Sequence, residues 1–131
     1  MLYNWAVENP QKVAGIAALY PVCNLESYPG LKRACGAYKM TEQELKAALT
    51  SHNPIDRLEP LAKAQVPLYH LHGDKDKVVP LEKNTAIVES RYKEFGGPMT
   101  VIMIKDGGHD MKDHWFKDQG LVDFIIKQCG R

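Results

Sequence analysis

Residues 66–80 read VPLYHLHGDKDKVVP, and this stretch decides the fold class of the chain. Its first part, Val66–His72, is a short and mainly apolar run, which predicts a strand. Its second part is a polar loop that starts at Gly73 and carries Asp74 and Asp76. The stretch therefore predicts a buried strand with acidic residues at its carboxyl end.

Two further apolar runs lie on either side of this strand along the chain. Val13–Tyr20 precedes it and lacks any alternation of apolar and polar residues, as a strand buried on both faces of a parallel sheet does. Met99–Ile104 follows it and is equally apolar. The sequence thus predicts three strands.

Amphipathic segments separate these strands. Helices are predicted over residues 2–9, about 41–50, about 56–64, 81–95 and 115–128, whereas residues 21–40 are predicted to be a loop. Strands that alternate with helices pair in parallel through right-handed crossovers. We therefore expect an α/β fold with a three-stranded parallel sheet and flanking helices, in a single domain over residues 1–131.

The composition favours an ordinary globular protein without a charged partner. Lys and Arg number 17 against 16 Asp and Glu, giving a net charge of +1. Such a balance predicts binding neither to nucleic acid nor to an anionic membrane. The three cysteines form no CxxC motif, and reduced thiols are favoured over a disulfide between Cys23 and Cys35. We expect no cofactor and no metal.

Two polar loops follow the carboxyl ends of predicted strands, where sites form in open α/β sheets. One loop runs from His72 to Pro80 and the other from Asp106 to Asp110. An aspartate in the first loop and His109 in the second are expected to meet in space. An aspartate that accepts from the imidazole N–H fixes the tautomer of the ring and stabilises the imidazolium.

The pattern His-Gly-x-x-Asp-x-Val-Val-Pro followed by Gly-Gly-His resembles the C-terminal half of the α/β-hydrolase fold, near its esterase and prolyl-peptidase-like members. The resemblance implies that Asp76 is the acid and His109 the base of a Ser-Asp-His triad. It also implies that Asp74 is a neighbouring structural acid. Residues 3–15 are similar to the helix after the nucleophile elbow and the strand that follows it. The implied substrate is a small ester or, second, a peptide.

The serine of that triad has no counterpart in the expected place. The family carries it in a Gly-x-Ser-x-Gly elbow ahead of the acid and the histidine, and these 131 residues contain no such motif. None of the other serines, Ser27, Ser51 and Ser90, lies on a turn between a predicted strand and a helix. Cys23 lies just after the carboxyl end of a strand and is the best remaining nucleophile. We therefore expect weak activity, or none, from this chain alone.

A metal site is an alternative interpretation of the same loops. His70, His72 and Asp74 match the start of a His-x-His-x-Asp motif, in which both imidazoles lie on one side of a strand. His109, Asp110, Asp113 and His114 would complete the set. Lys75 opposes this interpretation by its charge, and a hydrogen-bonded core histidine is the simpler expectation for His70.

The neighbours of His109 in sequence leave two questions open. Asp110 and Asp113 would favour the imidazolium form if their side chains point towards His109. Trp115, with His114, borders a substrate pocket or anchors the last helix, and the anchor is favoured.

The strand Val13–Tyr20 suggests a second class of function. We expect it to lie at a sheet edge, where an apolar unpaired strand invites pairing with another chain. A non-catalytic module would then form a homodimer, or bind an N-terminal fragment, through this strand.

Overall fold

The computed structural model describes residues 2–110 and 112–130, apart from the side chains of Asp113 and His114. Within this part, three strands form one sheet: β1 (Ile16–Leu19), β2 (Leu68–Gly73) and β3 (Met99–Ile104). Their order is β1-β2-β3, and both pairs are parallel. The predicted α/β fold with a three-stranded parallel sheet is confirmed.

Eight α-helices surround the sheet in the described residues. They are α1 (Leu2–Glu8), α2 (Leu31–Ala34), α3 (Glu42–Ala47), α4 (Leu49–His52), α5 (Glu59–Lys63), α6 (Thr85–Glu94), α7 (Asp113–Phe116) and α8 (Gln119–Cys129). Within the described residues, no helix is long and apolar enough to cross a membrane.

Apolar side chains cover both faces of the central strand, and all six residues of β2 are buried. Leu68 packs on one face with Tyr3 of α1 and Val88 of α6, whereas Tyr69 and Leu71 pack on the other face with Trp115 and α8. Alternate residues of a strand point to opposite faces, which explains this division. His70 and His72 therefore lie on the face covered by α1 and α6.

The prediction of a loop over residues 21–40 was wrong in part. This segment contains α2 and a 3₁₀ turn at Cys35–Tyr38, which pack around Leu25 and Leu45 in a small core of their own. Gly30 precedes α2 directly, but Gly36 lies inside the 3₁₀ turn, so glycine in this segment does not always mark a break.

Local capping sets two helix boundaries. A capping box starts α3: the Glu44 N–H donates to Thr41 Oγ1 at 3.2 Å, and the Thr41 N–H donates to Glu44 Oε2 at 2.7 Å. The predicted helix over 115–128 is divided, because the Asp118 side chain accepts from the Leu121 N–H at 2.7 Å and starts α8 afresh.

Candidate active site

The carboxyl ends of β2 and β3 lie side by side, with Gly73 paired opposite Ile104. The loops that follow these strands are joined by backbone hydrogen bonds. The Asp74 N–H donates to the Ile104 carbonyl at 3.2 Å, and the Lys75 N–H donates to the Gly107 carbonyl at 2.9 Å. The two polar loops identified in the sequence therefore form one surface.

Two glycines allow this close approach. A Cβ on Gly73 would lie 2.1 Å from the Gly107 carbonyl oxygen, which is closer than atoms can come. A Cβ on Gly107 would in turn lie 3.0 Å from the Gly73 Cα. Backbone therefore packs directly on backbone at the junction of the loops, and neither position accepts a side chain without movement.

Asp76 lies at the centre of this junction, and its carboxylate is buried. Its Oδ1 accepts from the backbone N–H groups of Val78 and Val79, at 2.9 and 2.8 Å. Its Oδ2 lies 2.8 Å from His109 Nδ1. The loop backbone thus fixes one carboxylate oxygen and leaves the other to the histidine.

His109 joins Asp76 from the second loop, as the sequence predicted. A carboxylate only accepts hydrogen bonds, so Nδ1 carries the proton of this bond, and Nε2 of the neutral ring has the lone pair. The side chain is 32% exposed, so one edge of the ring is open to solvent. A buried carboxylate that orients a half-exposed imidazole can perform acid–base chemistry.

Tyr20 packs against the His109 ring, with ring centroids 4.3 Å apart and the planes tilted by 52°. Its backbone φ of 35° lies in the left-handed region, which costs a tyrosine energy. Its hydroxyl donates to the Asp110 carbonyl at 3.1 Å. Sequence reasoning missed this packing role, although the position of Tyr20 at the carboxyl end of β1 placed it near the site.

The carboxylate of Asp110 bonds Trp115 and Lys112, and no bond from it to His109 is present among the described residues. Its Oδ1 accepts from the Trp115 indole N–H at 2.8 Å, and its Oδ2 lies 3.0 Å from Lys112 Nζ. The hydrogen bond from Trp115, followed by that from Lys112, lowers the pKa of Asp110 to about 2. Trp115 is itself fully buried against Tyr69 and Leu71, so it anchors the last helices, as favoured. The side chains of Asp113 and His114 lie outside the described part.

The remaining sequence candidates for a nucleophile have structural contacts or lie elsewhere. Cys23 is fully buried in the main core, and burial raises its pKa to about 12, which opposes a reactive thiolate. Ser27 donates to the Asn24 carbonyl at 2.9 Å and accepts from Asn84 at 2.8 Å. Ser51 and Ser90 lie in α4 and α6. The cysteines Cys23, Cys35 and Cys129 are free thiols, so the alternative of a Cys23–Cys35 disulfide is wrong.

Asp74 is half-buried beside Asp76, and its side chain makes none of the expected structural hydrogen bonds to the residues that the structure describes. Its Oδ1 is buried and has no hydrogen-bond partner among the described residues. The structural bond at this position comes from its backbone N–H, which joins the two loops.

His70 and His72 make buried hydrogen bonds through all four of their ring nitrogens. Both Nδ1 atoms bond the Thr85 hydroxyl, at 3.1 Å from His70 and 2.7 Å from His72. His70 Nε2 bonds the Tyr3 hydroxyl and His72 Nε2 bonds the Val79 carbonyl. In the described part of the chain, no three His, Cys, Asp or Glu side chains are grouped as metal ligands. The histidines are thus satisfied core residues in this structure.

Asn84 joins the segment after β1 to the end of the loop His72–Pro80, which carries Asp76 and is called the acid loop below. Its Oδ1 accepts from the N–H groups of Cys23 and Asn24, both at 2.9 Å. Its Nδ2 donates to the Pro80 carbonyl at 3.0 Å and to Ser27. Sequence reasoning missed Asn84, because a single asparagine in a predicted helix carries no signal of a tertiary role.

Solved structures of similar fold include an esterase and a hydrolase. A truncated carbohydrate esterase from gut microbiota is 19% identical with a TM-score of 0.67, over 91% of this chain and 44% of that one. S-formylglutathione hydrolase from Agrobacterium tumefaciens is 19% identical with a TM-score of 0.68, over 98% of this chain and 44% of that one. Est1E from Butyrivibrio proteoclasticus is 14% identical with a TM-score of 0.61, over 99% and 57%. No protein-family model and no curated protein sequence matches the chain.

These likenesses extend over nearly all of this chain and about half of each solved structure. Identities below one fifth are evidence for the fold alone. The neighbours are proteins of the α/β-hydrolase fold. The chain therefore has the α/β-hydrolase fold, over a part of its usual length.

Proposed function

We propose that Asp76 and His109 are the acid and the base of a site that hydrolyses small carboxylic esters. The observation that supports this most directly is the 2.8 Å contact between Asp76 Oδ2 and His109 Nδ1, with the carboxylate buried and the ring half-exposed. The names of two neighbours, a carbohydrate esterase and S-formylglutathione hydrolase, agree with this chemistry. A peptide is the second substrate class.

In the proposed reaction, His109 Nε2 takes the proton of an attacking hydroxyl while the oxygen bonds the acyl carbon. Asp76 stabilises the imidazolium that forms. The same proton then passes to the leaving alcohol as the ester bond breaks. A serine of a complementing polypeptide would serve as the nucleophile in a complete site. In this chain alone, water is the nucleophile, so the reaction is slow.

The direct test is hydrolysis of p-nitrophenyl acetate by the purified chain and by His109→Ala. We expect a slow rate above the buffer background that His109→Ala removes. His52→Ala is the matched control, because His52 is a half-buried histidine in α4, away from the acid loop. A wild-type rate equal to that of His109→Ala would overturn the proposal for this substrate class. An equal loss in His52→Ala would show unspecific imidazole catalysis and would also overturn it.

The metal alternative has less support. A metal at His70 and His72 must displace hydrogen bonds from Thr85, Tyr3 and the Val79 carbonyl, all of them buried. Titration with Zn²⁺ followed by isothermal calorimetry tests it. Binding that is lost in His70→Ala would favour the metal site over the ester-hydrolysing site.

One further observation favours a binding role at the opposite side of the sheet from β3. β1 pairs only with β2 in the described residues, so one edge of β1 remains available. Beside it, α8 leaves Val122, Ile125 and Ile126 exposed, and a cavity of about 190 Å³ lies between the strand and the helix. We propose that a second copy of this chain pairs with this edge, because two identical edges can pair about a twofold axis.

The oligomeric state tests this second proposal. We expect a dimer by light scattering, and a monomer for Ile125→Lys. Met103→Lys is the control, since Met103 is also an exposed apolar residue, at 61% against 44% for Ile125, but lies on the other edge strand. A wild-type monomer at high concentration, or dissociation by Met103→Lys alone, would contradict a dimer through β1. Binding of an N-terminal fragment to β1 in place of a second copy of this chain would also overturn the homodimer.

A further inference from the structure

Four buried side chains connect α1 to the acid loop through a continuous row of hydrogen bonds. The row runs from the Tyr3 hydroxyl to His70 Nε2 at 2.5 Å, from His70 Nδ1 to Thr85 Oγ1 at 3.1 Å, and from Thr85 Oγ1 to His72 Nδ1 at 2.7 Å. It ends at the Val79 carbonyl, 2.8 Å from His72 Nε2. Tyr3, His70, His72 and Thr85 are all buried. We call this row the Tyr3–Val79 relay.

The position of each proton in the relay follows from the acceptor at its Val79 end. The Val79 carbonyl only accepts, so His72 Nε2 carries a proton, and Nδ1 of the neutral ring is an acceptor. The Thr85 hydroxyl must then donate its single proton to His72 Nδ1. Since that proton is used, Thr85 Oγ1 can only accept from His70, which carries its proton on Nδ1. His70 Nε2 is therefore an acceptor, and the Tyr3 hydroxyl donates to it.

Burial supports neutral rings along the relay. Desolvation lowers the pKa of His70 to about 3, helped by the neighbouring His72. Desolvation also lowers the pKa of His72, against the opposing effects of the Val79 carbonyl, Asp76 and Glu82. The Tyr3 hydroxyl keeps its proton, because desolvation raises its pKa. The two histidines thus have opposite tautomers although they lie two residues apart on one strand.

The far end of the relay contacts the residue that fixes the acid. Val79 donates its N–H to Asp76 Oδ1 at 2.8 Å, and its carbonyl accepts from His72. The other oxygen of Asp76 lies 3.7 Å from His72 Nε2 and 2.8 Å from His109. A rotation of the His72 ring would therefore remove the bond to the Val79 carbonyl and loosen the backbone that donates to Asp76.

We propose that Thr85 is a positioning residue for the Asp76–His109 pair, acting through the tautomer of His72 and the backbone of Val79. Its hydroxyl is the one group of the relay that donates to one histidine and accepts from the other. The inference rests on the proposed ester-hydrolysing function, but its main prediction concerns the structure of the pair and can be tested without substrate.

The first test is ¹⁵N NMR of the histidine rings in the wild-type chain. We expect His72 with its proton on Nε2 and His70 with its proton on Nδ1, both neutral at pH 7. Both histidines in the same tautomer, or either ring charged at pH 7, would overturn the relay and its role.

The second test compares Thr85→Val with Thr85→Ser. Val has nearly the shape of Thr but no hydroxyl, so we expect loss of the hydrogen-bonded Nδ1 proton signal of His109. Ser restores the hydroxyl, and we expect it to restore the signal. Tyr92→Phe is the control for lost stability, because it removes another buried hydrogen bond, to the Val66 carbonyl at 2.6 Å, far from the pair. A signal unchanged in Thr85→Val, or lost equally in Tyr92→Phe, would overturn the inference.

The rate with p-nitrophenyl acetate separates this inference from the proposed function. If both hold, Thr85→Val lowers the part of the rate that depends on His109 by up to about a hundredfold, the order expected when a catalytic group is displaced by about 1 Å, and Thr85→Ser does not. If the NMR results are as predicted but no rate depends on His109, the proposed function fails while the positioning of the pair stands. A rate that depends on His109 but is unchanged in Thr85→Val overturns the positioning role alone.

Discussion

At the scale of single residues, Asp76 has the most constrained contacts in the candidate site. One of its oxygens accepts from two backbone N–H groups, and the other bonds His109. This division holds the carboxylate in a single orientation. The sequence indicated both partners of the pair, because a motif and a strand end coincide at each of them.

The charge of Asp76 can be removed with little change of shape. We expect Asp76→Asn to fold, since an amide oxygen can still accept from Val78 and Val79. The amide nitrogen would then face His109, which removes the acceptor for its Nδ1 proton and favours the wrong tautomer. The rate with p-nitrophenyl acetate is expected to fall towards that of His109→Ala. An unchanged rate would show that His109 acts without its aspartate.

The close packing at Gly73 leads to a prediction about stability. The Cβ of Gly73→Ala would overlap the Gly107 carbonyl oxygen, and both partners are backbone. We expect a loss of about 2–3 kcal/mol in the free energy of unfolding, measured by urea denaturation. Gly108→Ala is the matched control in the loop that Gly73 packs against, because its Cβ would meet no described atom within 4 Å. Equal losses in the two variants would contradict the close packing of the loops.

At the scale of elements, the sequence predicted the strands better than the short helices. Met99–Ile104 has the predicted bounds, and the other two strands lie within one or two residues of their predicted centres. An apolar run predicts a strand but not its burial on both faces: β2 is buried throughout, whereas β1 is fully buried only at Ile16 and β3 leaves Met103 exposed. The short turns of residues 31–38 depend instead on packing against Leu25 and Leu45 from other parts of the chain, which no local pattern shows.

The same limit applies to the residues that support the site. Asp76 and His109 belong to loops that a motif identifies. Thr85, Tyr3 and Asn84 lie in helices or beside them, and their roles arise only when α1 and α6 pack on the sheet. A hydroxyl or an amide in a predicted helix does not indicate which distant backbone group it will bond.

Asn84 gives a prediction for the start of α6. Asn84→Ala leaves the buried Cys23 N–H and the half-buried Asn24 N–H without their acceptor, and a lost partner of a buried group costs about 1–3 kcal/mol. We expect a loss of at least about 2 kcal/mol in the free energy of unfolding. Asn9→Ala serves for comparison, since Asn9 makes one exposed bond to the Trp5 carbonyl. The prediction fails if the two variants are equally stable.

At the scale of the whole molecule, the buried histidines make stability depend on pH. Burial lowers the pKa of His70 from 6.5 to about 3, and it lowers the pKa of His72 as well. Below pH 6.5 the unfolded chain therefore binds more protons than the folded chain. The stability from neutral His70 is complete above pH 6.5 and is lost as the pH falls from 6.5 towards about 3.

We expect the free energy of unfolding to decrease from pH 7 to pH 5, by at most about 1.4 kcal/mol per pH unit for each histidine. His70→Phe removes one of these groups, so its stability should change less steeply with pH, whatever its absolute value. Urea denaturation at several pH values measures both slopes. Equal slopes in the two proteins would show that His70 does not bind a proton on unfolding. Asp110, whose pKa is about 2, contributes only at lower pH, below its ordinary value of 3.8.

The sheet as a whole places the candidate site at the carboxyl ends of β2 and β3 and leaves the other edge of β1 available for pairing. These two features lie on different parts of the molecule. The proposed chemistry and the proposed dimer can therefore be tested independently, since Ile125→Lys changes no residue of the acid–base pair.

A double-mutant cycle on Asp76→Asn and His109→Ala tests the central claim most directly. Residues that act as one unit have effects that do not multiply. With p-nitrophenyl acetate as substrate, we predict that Asp76→Asn lowers the rate of the wild-type chain and has no further effect when His109 is already alanine. Rate losses that multiply in the double variant would contradict an acid–base pair formed by Asp76 and His109.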